Sequence, residues 1–100
     1  MRWRLDIREE ALLDIEIAAD WYEQRELGLG SDFARTVRVA IRRLPENPRA
    51  YRLRDRRRQI YWFLPPRFPY RIFYRLSDDL TTMFAVIHAA RHDRHWKRRI

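Results

Sequence analysis

Three histidines stand close together near the C-terminal end, His88, His92 and His95, with spacings of four and three. Side chains of this type bind metals, and a zinc site needs three or four ligands converging at about 2 Å. No cysteine exists in the chain, and no clear carboxylate partner completes the set. The expectation is therefore no metal site and no cofactor, with His88 packed at the end of a strand. The absence of cysteine also removes a thiol nucleophile and any disulfide framework. Ser31 reads as a helix cap and Ser77 as a turn residue, so no Ser-His-Asp arrangement forms. Asp78-Asp79 is turn chemistry.

Arginine is the more prominent reactive type. The chain has 22 basic and 14 acidic residues, a net charge of +8, and only Lys97 among the basic residues is lysine. A basic surface favours anionic partners, either nucleic acid or an acidic protein segment. Arg52, Arg54, Arg56, Arg57 and Arg58 form a dense run around Asp55. That run suits docking of an acidic protein segment, binding of nucleic acid, or a solvated connector. Arg71 and Arg75 flank Phe73 on one strand face, which suits stacking on a base or contact with a protein. Arg91 could serve the same surface or pair with Asp93.

Elements must position these groups. Trp3, Leu5 and Ile7 alternate with charged residues, the period of a half-buried strand over residues 2–8. From Glu9 to about Arg25 the spacing of Ala11, Ile15, Ala18 and Tyr22 is helical. Gly28 and Gly30 interrupt it. Ser31 is placed as the N-cap of a second helix, whose stripe is Phe33, Val37, Ala40, Ile41 and Leu44. Pro45 ends it. Residues 45–57 read as a connector. Three strands follow, at Gln59–Leu64, Tyr70–Leu76 and Leu80–Ile87. The last is apolar or Thr on both faces and belongs in the interior of the sheet. A basic tail from Arg91 to Ile100 holds a helical turn or two.

The order strand, helix, helix, strand, strand, strand implies an α+β domain. It is an N-terminal strand, an antiparallel helical hairpin and a three-stranded antiparallel meander. The helices lie on one face of a mostly antiparallel sheet. At 100 residues the expectation is one domain, residues 1–100. No apolar run approaches the roughly 20 residues of a membrane span. No hydrophobic stretch follows the basic start, so no signal peptide is expected and the cytoplasm is the expected location.

Several pieces taken together resemble the RelE/ParE toxin superfamily, closest to its ParE branch. They are Ala11-x-x-Asp14-Ile15 with Trp21-Tyr22, and Gly28-Leu29-Gly30 before Phe33. Further on come Phe68 through Tyr74 and then Val86-Ile87-His88-x-x-Arg91 with Trp96. The resemblance spans nearly the whole chain. It implies a small basic toxin encoded beside an antitoxin whose C-terminal segment wraps and neutralises it. RelE-like members cut mRNA on the ribosome, and ParE-like members trap DNA gyrase.

The resemblance also implies site residues. Arg71 and Arg91 match arginines of the ribonuclease branch, and His92 would stand near phosphate. Such cleavage needs proton donors and acceptors as well as cations. Gln59 to Phe63 carries no lysine where that branch has them, and Trp96 stands near its tyrosine. An arginine stays protonated and is a poor base. The expectation is thus a gyrase inhibitor without chemistry of its own. Its target surface comprises Arg71, Arg75, Arg91 and Trp96. Its antitoxin surface comprises Trp21, Tyr22, Val37, Ile41, Arg54 and Arg57, in a toxin–antitoxin hetero-oligomer. A ribosome-dependent mRNA endonuclease is the first alternative, and a non-toxic nucleic-acid-binding module the second.

Overall fold

Leu5 and Ile7 each turn inward between exposed charged neighbours, and this alternation makes Arg4–Ile7 the first strand, β1. The computed structural model describes residues 2–100. After β1 come helices α1 (Glu9–Arg25) and α2 (Leu29–Arg43) and two single 3-10 turns, Leu44–Glu46 and Pro48–Ala50. Four strands follow: β2 (Arg52–Asp55), β3 (Ile60–Phe63), β4 (Tyr70–Ser77) and β5 (Leu80–His88). A short helix, α3 (Arg94–Lys97), ends the chain.

The five strands form one sheet in the order β1-β5-β4-β3-β2. β2 to β5 pair antiparallel in chain order, whereas β1 runs parallel to β5, with Leu5 opposite Thr81. β5 therefore has a strand on each side, and its apolar side chains are buried on both faces, Met83 and Val86 under the helical hairpin and Phe84, Ala85 and Ile87 with Trp96. One residue, Phe84, is inserted in β5: Phe73 faces Ala85 while Tyr74 faces Met83. This bulge turns Phe84 and Ala85 to the same side of the sheet.

The α1–α2 hairpin covers one face. Ala11, Ile15, Ala18, Phe33, Val37 and Ile41 pack there against Ile72, Tyr74, Leu76, Met83 and Val86. Tyr22, Phe33, Phe68 and Tyr70 close one end with rings 5.1–6.2 Å apart. The buried Tyr74 hydroxyl donates to the Pro48 carbonyl at 2.6 Å. Burial of this phenol raises its pKa far above the ordinary value, so it stays a donor.

Two expectations need correction. Residues 45–57 are not merely a connector, because Arg52–Asp55 pairs with β3 as an edge strand. Its side chains are exposed or half-exposed, so it lacks the apolar alternation that marks a strand. Ser31 is not the N-cap. The cap is Gly28, at φ 87°, and the Glu23 carboxylate accepts from the Gly28 and Gly30 N–H groups at 2.8 and 2.9 Å. Glu23 reaches back across the hairpin and takes the role expected of the serine. Gly30 sits so close to α1 that a Cβ would collide with the Ala19 carbonyl. The sheet's second face is covered as well. Ile60, Phe73, Phe84, Ala85, Ile87 and Trp96 form a second buried cluster there, covered by α3.

Candidate functional site

The chain leaves β5 at His88 and turns back under backbone control. Ala89 N–H donates to the Pro69 carbonyl at 2.7 Å, and Arg91 N–H to the His88 carbonyl at 2.9 Å. Two imidazoles serve this turn as acceptors: His88 Nδ1 takes the Ala90 N–H and His92 Nδ1 takes the Arg94 N–H. Both nitrogens are therefore unprotonated in the neutral ring, with the proton on Nε2.

Asp93 then locks the tail to the sheet. Its carboxylate accepts from Arg54 of β2 at 2.7 Å and from Arg71 of β4 at 3.1 Å. The hydrogen bond from Arg54, with that from Arg71, holds the Asp93 carboxyl well below the usual carboxylate range. Arg71 also donates to the Arg91 carbonyl at 2.9 Å, and its side chain is only 12% exposed. Its guanidinium lies 5.1 Å from the centroid of Phe73, and Phe73 stacks on Trp96 at 5.0 Å. Arg71 is thus a clamp between strand and tail, not a solvated residue of the sheet face.

Beside this clamp, a cleft of about 660 Å³ opens between α1 and the tail. Ile17, Trp21 and Tyr22 form one wall, Tyr70 and His88 the floor, and Arg91, His95 and Arg98 the other wall. Burial pushes the Tyr70 phenol up, Tyr22 adds to this and Arg91 opposes it. Burial pushes the Tyr22 phenol up as well, so both hydroxyls remain proton donors. Desolvation, with the cationic neighbours Arg91, Arg94 and Arg98, pushes the His95 imidazole below its ordinary value. The cleft therefore joins aromatic surface, cationic side chains and a neutral imidazole. It can hold an anionic group beside a flat apolar one.

The residues expected at the two surfaces divide as follows. Arg91 lines the cleft, exposed and without an ion pair among the described residues. Arg75 and His92 are exposed but lie outside the cleft lining. Trp96 is 1% exposed and cannot contact a partner, because it plugs the second core. Val37 and Ile41 are likewise buried between α2 and the sheet, since a helix's apolar stripe is what it packs inward. The outward apolar residue of α2 is Val39. Trp21 is exposed and Tyr22 half-buried; Arg57 is exposed, and Arg54 is engaged by Asp93. Among the described residues no group of His, Cys, Asp or Glu is placed to hold a metal ion.

Sequence reading passed over Tyr70, His95 and Arg98 as parts of one site. The basic tail hinted at the last two, but Tyr70 reads as an ordinary strand residue. A second recess, of about 460 Å³, runs between α2 and the β3–β4 loop. Val39, Tyr51 and Leu64 supply its apolar surface, and Arg35, Arg43 and Arg67 rim it.

Residues 5–93 match the family described as ParE toxin of the type II toxin–antitoxin system, parDE. Among solved structures, the chromosomal ParDE system of P. aeruginosa superposes with a TM-score of 0.74 at 14% identity, covering 87% of this chain and 96% of that one. A doubly substituted E. coli RelE toxin in the free state gives 0.72 at 20% identity, covering 99% and 95%. The toxin–antitoxin complex RelBE of E. coli gives 0.63 at 25% identity, covering 89% and 99%. No curated protein matches the chain. The sheet, the helical hairpin and the match over residues 5–93 lead to one conclusion: this chain belongs to the ParE toxin family of type II toxin–antitoxin systems.

Proposed function

We propose that this toxin arrests growth in the cytoplasm by binding DNA gyrase, with no bond-breaking chemistry of its own, and that a cognate antitoxin neutralises it by direct contact. The observation that carries the non-enzymatic reading is the engagement of Arg71 with Asp93 and the Arg91 carbonyl. An arginine spent on holding the tail is not placed to neutralise charge on a scissile phosphate. Arg91, at the mouth of the cleft, is then the leading contact to the target, with Arg75 as a second contact on the exposed sheet surface. Among the described residues no helix is long and apolar enough to cross a membrane.

The antitoxin is assigned to the recess between α2 and the β3–β4 loop. An apolar floor rimmed by arginines suits a segment that is both apolar and acidic. Arg57 is exposed in the turn between β2 and β3 and lies outside the lining of this recess.

A second reading has its own observation. The cleft places a neutral His95, two phenols and two free arginines around one space, a set suited to acid–base work on RNA. Pulse labelling after induction separates the two. DNA synthesis falling first supports gyrase, and a cleavage assay with purified gyrase follows. Protein synthesis falling first supports the ribonuclease, and makes His95, Arg91 and Arg98 the residues to change.

A further inference from the structure

Charge in this molecule is sharply segregated. From Glu9 to Glu26 stand seven carboxylates and one arginine, a net −6, so the rest of the +8 chain carries +14. Two of those carboxylates have internal duties, Asp14 on Arg99 and Glu23 on the start of α2. Glu9, Glu10, Glu16 and Asp20 have no ion-pair partner among the described residues.

The same helix carries an apolar stripe that the fold does not bury. Leu13, Ile17 and Trp21 repeat every fourth position, so they lie along one side of α1. They are 54%, 60% and 48% exposed. The inward side of α1 uses Ala11, Ile15 and Ala18. By helical geometry, Glu16 and Asp20 run directly alongside the stripe. One cation is already seated on it: the Arg25 guanidinium lies 3.5 Å from the centre of the Trp21 ring.

We infer that the outer face of α1 is a docking surface for a protein segment that is at once apolar and basic. The stripe supplies apolar area, the flanking carboxylates select positive charge, and the Trp21 face accepts a guanidinium or ammonium group. Glu16 and Asp20 disfavour an acidic segment along their side of the stripe, while on its other side Ile17 and Trp21 border the cleft whose far wall is Arg91, His95 and Arg98. The Glu16 and Asp20 row is opposite in sign to the arginine-rimmed recess on α2, so the two surfaces favour segments of contrary charge. This inference stands apart from the choice between gyrase and ribosome as target.

The test uses the full chain, isotope-labelled, with a synthetic amphipathic helix of leucine and lysine as probe. The expected result is movement of the amide signals from Leu13 to Trp21, and blue-shifted Trp21 emission. Two independent variants, Leu13→Ser with Ile17→Ser and Glu16→Lys with Asp20→Lys, should each weaken binding about tenfold or more, since each removes one of the two attractions. All four positions are exposed, so folding is preserved in both. The inference is overturned if the shifts map elsewhere, or if either variant binds as tightly as the parent. Equal binding of a leucine–glutamate helix, or of a lysine–serine peptide lacking apolar residues, also overturns it. So does self-association, seen as concentration-dependent shifts of the same amides without peptide.

Discussion

Arg99 grips Asp14 through both terminal guanidinium nitrogens, one at 2.9 Å, across 85 positions of sequence. The pair does more than join the tail to α1. β1 stops pairing at Met83, which leaves Phe84 to His88 with an open edge. Asp14 accepts the Val86 N–H of that edge at 2.8 Å, and Arg99 donates to the Phe84 carbonyl at 3.1 Å. Two side chains thus stand where a neighbouring strand would be, satisfying backbone groups that are costly to leave bare.

Replacing Asp14 by Ala removes the acceptor for Val86 and leaves Arg99 without its partner. The expected loss is about 2 kcal/mol, within the range for orphaning a partly buried donor and its charged partner. Chemical denaturation measures it, and hydrogen exchange at Val86 should quicken in the same variant. Unchanged Val86 protection would refute the edge-sealing role.

Acid should loosen the tail through Asp93. Its carboxyl is held below the unfolded value of about 3.9, so the charged form is favoured by folding. The sign follows: this contribution is complete above that value and fades as pH falls through the lower folded-state pKa. Asp93→Asn should therefore lower stability at neutral pH and flatten the acid limb of the stability curve. Denaturation midpoints taken between neutral and strongly acidic pH check this, and a limb as steep as the parent's would contradict it.

Arg71 and Arg91 should separate stability from toxicity. Arg71→Ala breaks the Asp93 clamp and should lower the melting temperature. Arg91→Ala removes an exposed, unpaired side chain and should change stability by no more than about 0.5 kcal/mol. If Arg91 contacts the target, this second variant loses growth arrest while still folding and binding antitoxin. Growth arrest retained at equal expression counts against that assignment.

On α2, neighbouring positions should behave oppositely. Ile41→Ala opens a cavity under the hairpin and should cost about 2–5 kcal/mol. Val39→Asp, on the outer surface, should leave stability nearly unchanged but repel an acidic antitoxin segment. Co-purification of the pair together with thermal unfolding distinguishes the two. A Val39→Asp toxin that keeps its antitoxin at full affinity would move the docking site elsewhere.

Periodicity alone made the order of the main elements readable. Alternation at Trp3, Leu5 and Ile7 and helical spacing from Ala11 to Tyr22 are local consequences of burying one side of a chain segment. The doubly apolar run from Leu80 to Ile87 likewise announced an interior strand. Composition announced the basic character, and the Phe68-to-Trp96 pattern announced the family that the comparison then showed. The edge strand β2 escaped because its pairing satisfies backbone groups and buries almost no side chain, so no apolar pattern records it.

Side-chain exposure was the harder matter. Val37, Ile41 and Trp96 look like binding surface when aromatic and aliphatic residues are simply counted, yet each is buried. A stripe tells that one side is covered but not by what, and Trp96 required knowledge that the tail folds back over the sheet. The bulge at Phe84, the Asp93 clamp and the Asp14–Arg99 seal all join residues far apart in the chain. Local propensities and periods reach only a few residues, so the elements followed from the amino-acid order. The free or engaged state of each arginine followed from contacts made when distant segments met.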